Sequence, residues 1–457
     1  MKKTGNFVNV ILVVLTGALF VLMLFLSGRY IDMRVNGISS SYPKMPENDK
    51  WVLSNEEYDT RFNALTLISP EFEGFRLQNG TMLASAYDAN ARKGISDLLV
   101  KYLTVLLPEK PESVIFENAD KRAEFIESIT SSGRYIYASL YNELPSAAIL
   151  PCILGNEKKE NISESVFIKN VFILPDDEGN AYALCFDNDG NCKKYSLSEP
   201  VAYDDSELAA YTDVRGFVSF EFIKSDKPAA VFSKSFDVSP PVLSKTSDFY
   251  NYSVYDANTA NLMRVFDFNP NMIKSIKSAD KTTSYVYDGK ELYIDPKNTK
   301  ITYYGYDSGI HLSRFLKYNP KETQYSFADK VLSVKYLVNS LDRHVAGADA
   351  MPSLLYVTEK SGKIVFALKY MFDGIPLLDG NPDILVEISG NYVNKVDINA
   401  IYCSKTEETK PVLPQNKANA LFEGENYDGY GALYVRESGT NLLKFVWTAR
   451  KDGKNEY

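Results

Sequence analysis

The chain has 457 residues, 45% of them hydrophobic and 13% aromatic, which is enough apolar mass for packed cores and argues against wholesale disorder. Its formal net charge is −9, and residues 29–457 are more acidic still, with 48 Lys and Arg against 59 Asp and Glu, a net charge of −11. That balance argues against nucleic acid or an anionic lipid surface as the main ligand.

The first predicted element is Phe7–Leu26, FVNVILVVLTGALFVLMLFL, an uncharged run of twenty residues. At about 1.5 Å per residue it makes a helix of roughly 30 Å, the thickness of a bilayer's hydrocarbon core. The run is longer than a signal-peptide core. No small-x-small cleavage pattern follows it, since Phe25 or Leu26 stands where a small residue is required. We read an uncleaved signal-anchor. Lys2 and Lys3 precede it, while Arg29 and Arg34, partly offset by Asp32, follow it, so the charge bias favours a cytoplasmic N-terminus. No second apolar stretch of this length occurs. The expected localisation is therefore the cell membrane, single-pass, with the bulk of the chain extracytoplasmic. Residues 1–28 are the cytoplasmic tip and transmembrane helix, and the polar residues 29–50, rich in Ser, Pro and Asn, are a tether.

Three segments follow, with expected boundaries at 51–158, 159–322 and 323–457. In the first, Leu65–Ile68 reads as a short strand, and Phe72–Leu77 and Met82–Tyr87 form a hairpin over Asn79-Gly80. Ile95, Leu98, Leu99, Tyr102, Leu103 and Leu106 recur at helical spacing up to Pro108. A strand at Ser113–Phe116, a helix at Lys121–Ile129 and a strand at Arg134–Tyr141 complete it. In the second, strands at Ser165–Leu174, Ala181–Phe186 and Asn191–Leu197 are joined by Asp- and Gly-rich turns. A helical turn at Leu208–Ala210 and strands at Phe217–Phe222 and Ala229–Ser233 come next. After Pro240-Pro241 come a helix at Ala257–Phe266 and strands at Thr282–Tyr287, Glu291–Ile294 and Ile301–Tyr306. The third opens with an amphipathic helix, Ala328–Arg343. It continues as hairpins Ser353–Thr358/Lys363–Tyr370, Ile384–Ser389/Val393–Tyr402 and Gly431–Arg436/Leu442–Thr448, with a short helix at Lys417–Phe422. The expected fold class is α+β: one N-terminal transmembrane helix, then a multi-domain ectodomain of antiparallel sheets with packed helices.

Signatures of chemistry are sparse. The two histidines, His311 and His344, have no metal-ligand spacing and read as surface or capping residues. No G-x-S-x-G elbow, G-x-G-x-x-G loop or Walker motif occurs. Asp187-x-Asp189-x-Asn191 begins like a calcium loop, but Cys192 stands where that loop needs glycine, so it reads as a hairpin turn. Four cysteines are too few for a disulfide framework. A four-residue loop would set Cys185 opposite Cys192, and the sequence leaves open whether they pair; Cys152 and Cys403 read as isolated buried thiols. No catalytic residue, cofactor or metal site is predicted. The candidate binding residues are in the span: Asn9, Thr16 and Met23 are seven apart, on one helix face near Gly17, where polar and small residues favour packing against a partner's transmembrane helix.

Ala257–Tyr304, ANTANLMRVFDFNPNMIKSIKSADKTTSYVYDGKELYIDPKNTKITYY, resembles the YycH family. In that family a helix is similarly followed by an F-x-[ND]-P turn, a T-x-Y-x-D-G strand end and an L-x-[IV]-[DN]-P strand. Here these stand at Phe268–Pro270, Thr283–Gly289 and Leu292–Pro296. Ile95–Leu106 with Tyr135–Pro145, and Leu433–Thr448 with Trp447, are similar too. The resemblance implies a non-enzymatic accessory protein of the cell-wall-sensing WalK–WalR two-component system. Its partners would be a WalK-like sensor histidine kinase and a YycI-like protein. The alternative is an extracytoplasmic cell-wall-glycan-binding protein or hydrolase using carboxylates and surface tyrosines.

Overall fold

The alternating apolar runs of the sequence fold into three antiparallel sheets, with helices packed between them. The computed structural model describes residues 67–456 apart from 86–88, 154–164, 210–215, 235, 237–239, 246–256, 271, 279–281, 296–297, 307–308, 317–324, 346–349, 379–380, 402, 423–428 and 452–453. All described residues fall within one unit, Val52–Tyr457. The span Phe7–Leu26, with Asn9, Thr16 and Met23, and the tether lie outside the described residues. Among the described residues no helix is long and apolar enough to cross a membrane.

The chain begins with β1 (Phe72–Arg76), β2 (Met82–Ser85), α1 (Ala89–Leu106), β3 (Glu112–Val114), α2 (Ala119–Ser132), β4 (Tyr135–Pro145) and α3 (Ser146–Ile153). It continues through β5 (Phe167–Pro175), β6 (Ala181–Phe186), β7 (Cys192–Ser196), α4 (Ser206–Ala209), β8 (Phe217–Phe222) and β9 (Ala230–Phe232). The nine strands form one sheet in the order β3-β7-β6-β5-β4-β1-β2-β8-β9. The expected boundary at 158/159 falls between β4 and β5, which pair directly, Ile136 opposite Ile173. Leu67 and Ile68, expected in a strand, lie in none. The Leu67 carbonyl instead accepts from the Leu354 amide at 2.7 Å.

One face of this sheet carries Glu73, Phe75, Ile136, Ala138, Val171 and Ile173 toward α1 and α3. The other carries Phe72, Tyr137 and Phe172, against which Phe220, Phe222 and Phe232 pack with ring centroids 4.9–5.8 Å apart, and Phe186, 6.1 Å from Phe172. The loop of β6–β7 closes one residue longer than a four-residue turn. Asp187 Oδ1 accepts from the amides of Asp189 and Asn191, at 2.9 and 2.8 Å. Phe186 therefore pairs with Cys192, and Cys185 with Lys193. Because side chains alternate between faces, this one-residue offset sends the two sulfurs to opposite sides of the sheet, and both cysteines are free thiols. The aspartate-led turn recurs at Asp176, whose Oδ1 takes the amides of Glu178 and Asn180. These donors hold the Asp176 carboxyl below the usual carboxylate range.

Then follow β10 (Pro241–Lys245), α5 (Ala257–Val265), β11 (Lys274–Lys277), β12 (Thr283–Tyr287), β13 (Lys290–Asp295), β14 (Lys300–Gly305), β15 (Ile310–His311) and α6 (Phe327–Val345). Next come β16 (Met351–Lys360), β17 (Lys363–Phe372), β18 (Ile375–Pro376), β19 (Ile384–Ser389) and β20 (Tyr392–Asn399). Of these, β11–β20 make a ten-stranded sheet in the order β11-β12-β13-β14-β20-β19-β17-β16, with β15 on β20 and β18 on β17. It spans the expected boundary at 322/323, since β14 pairs with β20. Finally come β21 (Cys403–Thr409), α7 (Gln415–Asn419), β22 (Gly429–Arg436), β23 (Leu442–Lys451) and β24 (Lys454–Glu456); the four strands join β10 in a five-stranded sheet. Val393–Tyr402, expected as one strand, gives β20 up to Asn399, and the chain then enters a different sheet as β21. Sequence reading missed β10 because Pro240-Pro241 looks like a break. Pro241 stands at the first residue of the strand, where a missing amide is tolerated.

A continuous apolar core runs through all three sheets. Polar clamps cross the junction of the first and ten-stranded sheets. Arg92 donates to the carbonyls of Pro70 (2.5 Å) and Asp373 (3.1 Å), and Lys335 donates to the carbonyl of Cys152 at 2.7 Å.

Candidate interaction surface

Period-two alternation in β12, β13 and β14 divides their residues between two environments. Tyr285, Leu292, Ile294, Ile301 and Tyr303 are buried under α5 and α6; Phe266, just past the end of α5, stacks on Tyr303 at 5.2 Å. Their neighbours in sequence point the other way. Read across the registers, one outward row is Lys274, Val286, Glu291, Tyr304, Lys395, Glu387 and Val365. A second is Ile276, Ser284, Tyr293, Thr302, Asp397 and Leu385.

This face is tyrosine-rich, and Glu291, Lys395, Asp397 and Glu387 on it are committed to neighbours. Asp397 accepts from Thr302 Oγ1 at 2.9 Å and pairs with Lys395 at 2.5 Å. The Lys395 ammonium lies 5.5 Å from the Tyr304 ring centroid, and its hydrogen bond to Asp397 holds it above the ordinary lysine value. Glu291 accepts from Tyr306 Oη at 3.0 Å and from Ser284 Oγ, and Glu387 pairs with Lys363 at 2.7 Å. Tyr304 and Tyr306 stack at 5.7 Å. Tyr306, Ile276 and Val286 are exposed, at 61%, 62% and 40%. Rigid tyrosines beside paired charges offer contact area at low entropic cost, the chemistry of a protein-binding face.

Other candidates from the sequence resolve into structural parts. His311 caps a short 3₁₀ turn, Leu312–Arg314, accepting from the Ser313 amide at 3.3 Å, and lies edge-on to Tyr325 and Tyr392. Asp187–Asn191 is a self-bonded hairpin turn. Among the described residues no cluster of metal-ligating side chains occurs. The alternation that marks the tyrosine face was visible in the sequence, but which residues face outward depends on the order of the strands.

No family model matches the sequence. No curated protein matches it either. Among solved structures, the crystal structure of YycH from Bacillus subtilis superposes with a TM-score of 0.51 at 11% identity, covering 86% of this chain and 96% of that one. The chain has a YycH-like fold.

In this YycH-like fold the motifs that carried the resemblance are turns around the tyrosine face. Asp267 lies two residues past α5 at φ +63°, bound by Lys290 and Arg314 at 2.5 Å each, and this sets Phe268 against Tyr287 and Tyr303. Asp288-Gly289, at φ +48° and +69°, is the two-residue turn joining β12 and β13. Asp295 accepts from the Asn298 amide at 3.2 Å and closes the next turn.

Proposed function

We propose that this chain is a membrane-anchored extracytoplasmic accessory protein that binds and tunes a WalK-like sensor histidine kinase, together with a YycI-like protein. The reading is non-enzymatic. The observation that carries it is the YycH-like fold over 86% of the chain. The uncharged run Phe7–Leu26 supports the anchor, with an inside N-terminus. The face around Tyr304 and Tyr306 supports contact with a protein. Differential contacts of the ectodomain bias the kinase between signalling states, and the paired spans transmit that bias through Asn9, Thr16 and Met23.

Deleting the gene should change the phosphorylation of the cognate response regulator, and the full chain should co-purify with the kinase from detergent-solubilised membranes. Unchanged phosphorylation together with no co-purification would overturn the reading. So would hydrolysis of wall glycan by the purified chain.

A further inference from the structure

A cavity of about 60 Å³ lies between α1, α3 and the helix-facing side of the first sheet. Its wall is almost wholly apolar: Leu99, Leu103, Ala138, Ile149, Ile168 and Val171 are typical, and only Glu73 and Ser96 are polar. The Glu73 side chain is fully buried. Its Oε1 accepts from Ser96 Oγ at 2.6 Å, whereas Oε2 has no hydrogen-bond partner. Arg92 Nε stands 3.8 Å from Oε2, beyond hydrogen-bond reach, and the other Arg92 nitrogens are committed to Pro70, Ser69 and Asp373.

Three constraints define an occupant. The wall requires an apolar body. The Arg92 guanidinium already balances Glu73, so an added ammonium would be an uncompensated charge in an apolar enclosure. Oε2 lacks a partner, and a hydroxyl, being donor and acceptor, satisfies it whether Glu73 is ionised or protonated. On the scale of an apolar cavity of roughly 150 Å³ that takes the six carbons of benzene, this volume holds about two or three non-hydrogen atoms.

We propose that this cavity binds a small neutral alcohol, its alkyl body against α1 and α3 and its hydroxyl on Glu73 Oε2. The reading is independent of any kinase partner. Arg92 ties Glu73 to the Asp373–Gly374 turn, so occupancy is read at the junction of the first and ten-stranded sheets.

The test uses the full chain in lipid nanodiscs with ¹³C-labelled Ile and Leu methyls, titrated with ethanol, ethylammonium and xenon. Saturable shifts at Leu99, Leu103, Ile149 and Ile168 are expected with ethanol, and the other two should bind at least about tenfold more weakly. Glu73→Met should weaken ethanol about tenfold. Leu103→Trp, which fills the cavity and leaves Glu73 in the chain, should abolish the shifts while the remaining methyl spectrum stays native. Absence of saturable shifts with ethanol, as when resident water alone satisfies Glu73, overturns the proposal. So does equal binding of xenon, or undiminished ethanol binding to Leu103→Trp.

Discussion

Lys335, buried within α6, donates its ε-ammonium to the backbone carbonyl of Cys152 at 2.7 Å, in the last turn of α3. A cation near a helix C-terminus meets the negative end of the helix dipole. Burial nevertheless dominates and pushes the Lys335 pKa down to about 8 from 10.5.

This relationship predicts a pH dependence of stability. Between pH 8 and 10.5 the unfolded chain holds a proton on Lys335 that the folded chain has released, so stability rises with pH across that window. The rise is bounded at about 3 kcal/mol. Urea denaturation of wild type and Lys335→Met at several pH values will separate this residue from the other lysines and tyrosines. The wild type should gain stability over the variant as pH rises.

Gly374 has φ +81°, and a Cβ there would meet Arg92 Nη1 at 2.2 Å. Gly374→Ala therefore strains the turn and expels the guanidinium that sits beside buried Glu73. A loss of about 3 kcal/mol is expected, measured by denaturant midpoint. Gly179→Ala is the control. Its φ is +86°, but nothing lies within 4 Å of the added carbon, so only the backbone strain of about 1 kcal/mol remains.

All four cysteines are buried and none is in a disulfide. Burial raises Cys152 and Cys192 to about 12, and Cys185 well above the ordinary value. The thiolate is the nucleophile, so iodoacetamide should leave the native protein unlabelled and add four groups after unfolding, as read by intact mass. A disulfide between Cys185 and Cys192 would reduce that number to two.

On the tyrosine face, Tyr306→Ala combined with Lys395→Glu removes the exposed ring and places a carboxylate against Asp397 and Glu387. Thermal stability should fall by about 1–2 kcal/mol, because Asp397 loses its partner and the new carboxylate faces Asp397 and Glu387, so the assay is run well below the variant's melting temperature. Co-purification with the kinase should fall about tenfold or more, a loss of roughly 1.4 kcal/mol in binding. Asn9→Leu with Thr16→Leu tests the span in the same assay, and a loss there with none from the face variant would assign contact to the membrane.

Local signals in the sequence translated into local structure. The helices at Ile95–Leu106 and Ala328–Arg343 form where apolar spacing placed them, extended by a few residues at their ends, and that at Ala257–Phe266 stops one residue earlier, at Val265. Asn79-Gly80, Asp288-Gly289 and Ser361-Gly362 make hairpin turns because Gly80, and both residues of the other two pairs, accept positive φ. A period of two or 3.6 reports only where neighbouring side chains point, so these features needed no partner. Tertiary structure alone decided that β4 meets β5, that β14 meets β20 some ninety residues away, and that β10 lies between β21 and β23. It likewise set the one-residue offset that separates Cys185 from Cys192, and enclosed Lys335 and Glu73. Strand partners are chosen by which faces can be buried together, and that choice involves residues too far apart in the chain for any local pattern to record.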